Sequence, residues 1–293
     1  MKLTRIVWVL MIGAASAYLM YAQFGGLGGA INRAKGTVDR AKEKAKPATD
    51  RAEKAVDTFA SWSPEEEQQV GEASAAKMIR VFGLVETPKV VDYVNLVGSS
   101  VAQYAPRQAP YRIGVLDTDI IGAFALPGGY IFITRAALDG MKNEAELAGA
   151  LGHEIIHVSE RHLESEIRTS KTSAWAVQEA KSVRAPGQEL YRQRADALVS
   201  DLMNMRLSRD KEDGADERGS MLAAQAGYAP GGLMNFLTTL QAANGKPQAQ
   251  RALGQLLSTH PPFNERISRL RPWVEKNPQA GKTLDARFRA AFE

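Results

Sequence analysis

The run NEAELAGALGHEIIHVSERHL, residues 143–163, decides how the rest of the chain is read. Asn143 stands as a cap with Glu146 three residues on, a capping-box arrangement that opens a helix. Leu147, Leu151, Ile155 and Val158 recur at helical spacing and supply an apolar face, so one helix is predicted from Asn143 through Leu163. His153 and His157, four residues apart, project from one side of it a turn apart, where two ring nitrogens can meet one metal ion. Glu154 cannot comfortably complete the same ligand set. It is placed instead to hydrogen-bond a water held by the metal, the general-base position of an HExxH site. The plainer alternative is a surface helix with two solvated histidines. Against it, three of the four histidines in 293 residues fall between 153 and 162, and Ile155 and Ile156 sit between the pair.

A catalytic metal of this kind takes three protein ligands and keeps one position open. Glu160, Glu164 and Glu166 are poor candidates, because on one rigid rod Glu164 lies roughly 10 Å beyond His157. The third ligand should come from another helix, and residues 209–219 (RDKEDGADERG) are the evident donor. Glu212 and Asp216 stand four apart and face one way, while Gly214 and Ala215 permit close approach. One carboxylate can bind the metal and the other hold a ligand histidine from behind; spacing alone does not decide which. The fourth histidine, His260, lies in Thr259-His260-Pro261-Pro262, where the prolines stiffen the backbone after it. It can reach the metal to stabilise an oxyanion or to occupy the open coordination position, and Arg266 can neutralise the same charge. A loop histidine capping the next helix is the bland alternative. His162, five residues past His157, is turned away on a continuous helix and is expected to order the helix end or support the ligands rather than bind.

Upstream, Ser63-Pro64-Glu65-Glu66 is a helix start, followed by one or two helices to about Tyr104. Strands are predicted over 111–116, 122–126 and 130–134. Pro127-Gly128-Gly129 joins the last two as a tight antiparallel hairpin, which is either plain core or an edge that receives an extended peptide as an added strand. The amino end, with Lys2 and Arg5 before the apolar run Ile6–Ala22, reads as a signal peptide with Ala15-Ser16-Ala17 as a cleavage site, or as an uncleaved anchor. Residues 1–24 are assigned to that segment and 25–62 to a charged helical spacer with an alanine-rich heptad seam. Residues 63–275 form the folded domain and 276–293 a tail. Residues 168–187 are an extension or a lid, and 190–207 a further helix.

The chain resembles the zinc endopeptidase family of the CAAX prenyl endopeptidases, the HtpX-type heat-shock proteases and soluble periplasmic relatives. The resemblance rests on FALPGGYIFITRAAL (124–138), GHEIIHVSERH (152–162), SRDKEDGADERG (208–219) and STHPPFNERI (258–267). It runs from about Ser63 to Arg271. It implies one Zn2+ per chain held by His153, His157 and Glu212, with Asp216 supporting a ligand histidine and Glu154 as general base. The family's asparagine before AFALPGG is replaced here by Gly122, and Gly214 stands where a longer, often acidic residue is common; neither departure removes a ligand.

The resulting expectation is an α+β, mostly helical zincin-like (HExxH gluzincin) domain with a small antiparallel sheet. It would act as a zinc metalloendopeptidase on polypeptides of the exported compartment, inner-membrane-anchored facing the periplasm or soluble there. The catalytic set would be Glu154 with His260 and Arg266. The rival is a zinc-stabilised, chaperone-like binding module with little turnover. A net charge of +4, much of it in residues 33–54, argues against nucleic acid, and the absence of cysteine excludes disulfides.

Overall fold

A computed structural model of the chain describes residues 62–169, 206–244, 247–278 and 281–293, and of residues 167–169 and 247–250 only the backbone. The signal or anchor segment, the spacer, the extension after residue 169 and most of the helix expected over 190–207 lie outside the described residues. Among the described residues no helix is long and apolar enough to cross a membrane.

The domain opens with α1 (Pro64–Phe82), where the Ser63 hydroxyl accepts from the Glu66 amide and the Glu66 carboxylate accepts from the Ser63 amide. This reciprocal cap satisfies two backbone donors at once. Helix α2 (Pro88–Ala102) follows, burying Val94, Val97 and Val101. Strands β1 (Arg112–Leu116), β2 (Ala123–Ala125) and β3 (Tyr130–Thr134) form one sheet in the order β1-β3-β2. The β2–β3 hairpin is antiparallel as expected, turned by Gly128 and Gly129 at φ +72° and +89°. The first strand instead runs parallel to β3, so the sheet is mixed. Strand β3 inserts between the other two, burying Ile131, Phe132 and Ile133, and therefore has no free edge; of the hairpin's two strands only β2 lies at the edge of the sheet.

A short helix α3 (Arg135–Asp139) leads into α4 (Glu144–Ser159). Asn143 caps α4 through its side chain, accepting from the Glu146 amide. Every residue of α4 is buried, not only its apolar face. It is the central rod of the domain, enclosed by α2, β2, β3 and two later helices, α6 (Arg209–Gln225) and α7 (Gly232–Asn244). Its closest neighbour is α6, and the closeness is set by two glycines. A side chain at Gly152 would lie 2.4 Å from the Gly219 carbonyl, and one at Gly219 would lie 2.5 Å from the His153 amide nitrogen. Gly214, by contrast, lies under the Arg218 guanidinium and plays no part in that approach.

The rod does not continue to Leu163. It ends at Ser159, Arg161 adopts a left-handed φ of +53°, and a separate helix α5 (His162–Thr169) begins in a new direction. A non-glycine residue there is uncommon and must be held. Arg161 is, by ion pairs to Glu67 at 2.9 Å and Glu164 at 3.7 Å. The remaining elements are α8 (Pro247–Thr259), α9 (Phe263–Lys276) and α10 (Asp285–Phe292). The stretch expected as a tail thus contains a helix whose Phe288 and Ala291 are buried, Phe288 edge-on to Tyr93 of α2.

Candidate active site

Helix α4 presents His153 and His157 toward α6, which presents Glu212 and Asp216 from one face, a turn apart. The loop after α8 brings His260 onto the same point. One ligand atom from each of His153, His157, Glu212 and His260 lies within 4.8 Å of all the others. The His153 and His157 Nε2 atoms are 2.9 Å apart, and Glu212 lies 3.8 Å from the first and 3.6 Å from the second. His260 Nε2 is 3.6 Å from Glu212 Oε2, while its Nδ1 sits 2.9 Å from the Thr259 hydroxyl. All three expected ligands are 5% exposed or less. Glu160, Glu164 and Glu166 stand apart from this cluster, as anticipated, engaged with His162 and Arg218, with the Trp62 amide, and with Lys211 respectively.

The residues fit a divalent cation. Glu212 Oε2 is fully enclosed yet lacks a hydrogen-bond donor, which buried oxygens rarely tolerate. Two imidazoles and a carboxylate are a donor set that zinc accepts. The electrostatics agree. Burial raises Glu212 to about 7, with nearby histidine and arginine only partly offsetting it. His157 and His260 are pushed well below the ordinary imidazole range, chiefly by burial and then by neighbouring cations, so each offers a neutral nitrogen. Burial would lower His153 too, but Asp216 outweighs it and the group is raised.

Asp216 lies behind His153, with Oδ1 2.8 Å from Nδ1, as an ionic contact rather than a well-aligned hydrogen bond. It is in turn gripped by Arg266, whose Nε and Nη2 donate to the two carboxylate oxygens at 2.9 and 2.6 Å. Arg266 is 3% exposed, and this bidentate pairing holds Asp216 ionised, well below the usual carboxylate range despite its burial. The arginine expected to neutralise an oxyanion therefore has two of its nitrogens committed to aligning Asp216, and through it His153.

Glu154 is 5% exposed, and burial raises its affinity for a proton, opposed by His153, Arg266 and the Ala125 backbone amide of β2. It lies between two recesses. One is apolar, walled by Ile121, Ala150, Leu233, Phe236 and Leu240; the other is walled by Phe124, Leu163 and Leu207 together with Glu212. Ala123 of β2, Glu154 and His260 border both.

Two features escape a reading of the sequence alone. The Gly152–Gly219 crossing is invisible until the two helices are known to pack. His162, expected to order the helix end or support the ligands, does stand behind a ligand, with Nδ1 2.8 Å from His157 Nδ1, but it gets there by a turn at Arg161 that a continuous helix would not make. The one local signal for that break is the polar run Ser159-Glu160-Arg161 interrupting an otherwise apolar helix.

A helix-borne HExxH pair met by a carboxylate from a second helix defines a metallopeptidase-type site. The chain belongs to peptidase family M48, whose sequence profile matches residues 89–274, more than half of its length. It is 26% identical to the metalloprotease YcaL of Escherichia coli over 62% of this chain and 74% of that protein. It is 31% identical to the mitochondrial metalloendopeptidase OMA1 of Schizosaccharomyces pombe, over 60% of this chain and 50% of the relative. With the beta-barrel assembly-enhancing protease of Escherichia coli the identity is 26%, over 69% and 42%. The chain thus spans about half or less of the last two relatives.

Proposed function

We propose that the chain is a zinc-dependent endopeptidase, with His153, His157 and Glu212 holding one zinc ion and Glu154 as general base. The observation that carries this is the enclosed cluster in which Glu212 Oε2 has no donor while Glu154 borders the open recesses beside it. Zinc bound there would polarise a peptide carbonyl and make water a stronger acid. The chain's own residues supply the rest. Glu154, its proton affinity raised by burial, takes a proton from the attacking water and delivers it to the leaving amine. Asp216, braced by Arg266, keeps the His153 ring in register. Strand β2, the sheet edge beside Glu154, receives the polypeptide as an added strand, so that backbone bonding gives affinity with little demand on sequence. Such a site suits unfolded polypeptides, and with the apolar amino-terminal run it points to exported substrates, with the enzyme anchored at the inner membrane or free in the periplasm.

His260 favours a second reading of the resting state. As a fourth ligand within reach of the cluster, it would close the open position and leave a zinc-stabilised module of low turnover until displaced. Both readings are tested by zinc-loaded full-length chain acting on casein. The peptidase requires cleavage that disappears in Glu154→Gln with zinc retained. Cleavage appearing only in His260→Ala places the wild type in the closed state. Zinc-loaded protein inert in both the wild type and His260→Ala would sink the endopeptidase reading for unfolded substrates.

A further inference from the structure

The two ligand histidines are supported differently. His153 has a carboxylate directly behind its Nδ1. His157 has another imidazole there: His162 Nδ1, at 2.8 Å, belonging to a side chain only 6% exposed. The far nitrogen of His162, Nε2, lies 3.0 Å from Glu160 Oε2, and the same oxygen accepts from Arg218 Nη2 at 2.7 Å. Arg218 stands on α6, the helix that carries Glu212 and Asp216, and Gly214 leaves room for its guanidinium.

With His162 neutral, proton bookkeeping along this row has one solution. A carboxylate already paired with arginine accepts and does not donate, so the Glu160–His162 bond requires the proton on His162 Nε2. A neutral His162 then has a bare Nδ1, which can only accept. The 2.8 Å contact becomes a hydrogen bond only if His157 carries its own proton on Nδ1. That leaves the His157 Nε2 lone pair free, and Nε2 is the atom in the ligand cluster.

We propose that Glu160 and His162 form a relay that fixes the tautomer and ring orientation of His157, so that its Nε2 is presented bare to the metal. This rests on the zinc reading of the site. Glu160, His162 and Arg218 are positioning residues here; none joins the ligand cluster. The relay also gives the break at Arg161 a purpose. On an unbroken helix His162 would lie about 140° around the axis from His157, out of reach. The left-handed residue, held by Glu67, returns it to the ligand.

The experiment is zinc affinity of the full chain, measured by competition with a chromophoric chelator, alongside the melting temperature of the metal-free form. His162→Phe keeps the ring's bulk and removes the acceptor. Its zinc dissociation constant should rise about 10–100-fold, as loss of an outer-sphere partner does elsewhere. His162→Asn places an amide oxygen near the former Nδ1 and should recover most of that loss, which a role in packing alone would not produce. Glu160→Gln lets the His162 proton settle on either nitrogen and should give a smaller, few-fold loss. If His162→Phe does not fold, the Asn and Gln variants carry the test. Wild-type affinity in His162→Phe, or in Glu160→Gln together with an Asn variant as weak as Phe, overturns the relay. A wild-type chain that takes up no zinc at all overturns the metal reading first, and the relay with it.

Discussion

Helix α4 carries two buried carboxylate clusters against opposite ends of its length, and they are built on opposite principles. At the amino end Glu144, fully buried, accepts from the Tyr93 hydroxyl at 2.5 Å, the Tyr228 hydroxyl at 2.8 Å, and Arg287 Nε at 2.6 Å, with a second bond from Arg287 Nη2. Burial alone would raise its proton affinity, but the arginine and the two phenols outweigh it, and the group is held ionised below the usual range. Three turns further along, Glu212 faces the same rod from α6, is equally enclosed, and has one oxygen with no donor. Nothing there outweighs burial, and it is raised to about 7. The first cluster is complete and belongs to the fold. The second is incomplete in protein atoms alone, and its side chains are a set that could hold a metal ion.

The largest expected effect separates the two on that basis. Glu212→Ala should weaken zinc binding by more than the roughly 10–100-fold of an outer-sphere loss, yet leave the metal-free melting temperature level or higher, because an unsatisfied buried oxygen has gone. Glu144→Ala should do the reverse. It strands the buried Tyr93 phenol, at about 1–3 kcal/mol for an unsatisfied buried group, leaves Tyr228 with only its Ser100 contact, and lowers stability with or without metal. Isothermal titration with zinc and thermal melts of both variants decide this. Equal behaviour of the two would dissolve the distinction. A second consequence is linkage to metal: zinc at a thousandfold excess over its dissociation constant should stabilise the wild type by about 4 kcal/mol, and Glu212→Ala should lose that shift while Glu144→Ala keeps it.

The same contrast has a pH signature. Because the folded-state affinity of Glu212 for a proton is raised from 4.5 to about 7, its contribution to stability is full below about 4.5. It is lost as pH rises through about 7, where the metal-free fold must carry a buried, unpaired charge. Glu154, also raised, acts in the same direction. Zinc displaces the Glu212 proton, and that on His153, so its affinity should climb between about pH 6 and about pH 8 while the metal-free fold loses stability. Melts with and without zinc across that range should diverge as pH rises. Curves that run parallel would mean that Glu212 is not displaced from its proton by metal.

Much of this was legible in residues 143–163. The cap at Asn143, the i, i+4 histidines and the facing pair Glu212 and Asp216 are local in sequence, since helical periodicity alone places them. The hairpin over Pro127-Gly128-Gly129 was legible for the same reason. What escaped is set by packing. The parallel β1–β3 pairing depends on β3 inserting between strands that precede it. The grip of Arg266 on Asp216 was not legible, because nothing in 258–267 reveals that carboxylate 2.6 Å from its guanidinium. His162 was placed by extending a helix that a single left-handed residue, held by Glu67 nearly a hundred positions earlier, brings to an end.

The smallest effect tests how far the amino-end cluster depends on its exposed member. Arg287 reaches Glu144 from α10 with about half of its side chain in solvent, at 54% exposure, while Glu144 itself is at zero. Half-exposed ion pairs contribute little once solvent screening is counted, about 0–1 kcal/mol. After Arg287→Ala the two phenols still donate to Glu144, so the carboxylate is not abandoned. The melting temperature should fall by only a few degrees, and zinc affinity should stay within about twofold of wild type, since the ligands lie more than two helical turns away. A loss as large as that of Glu144→Ala would show that α10 is the principal support of the helix that carries the metal ligands. The amino-end cluster would then owe its completeness to the arginine rather than to the tyrosines.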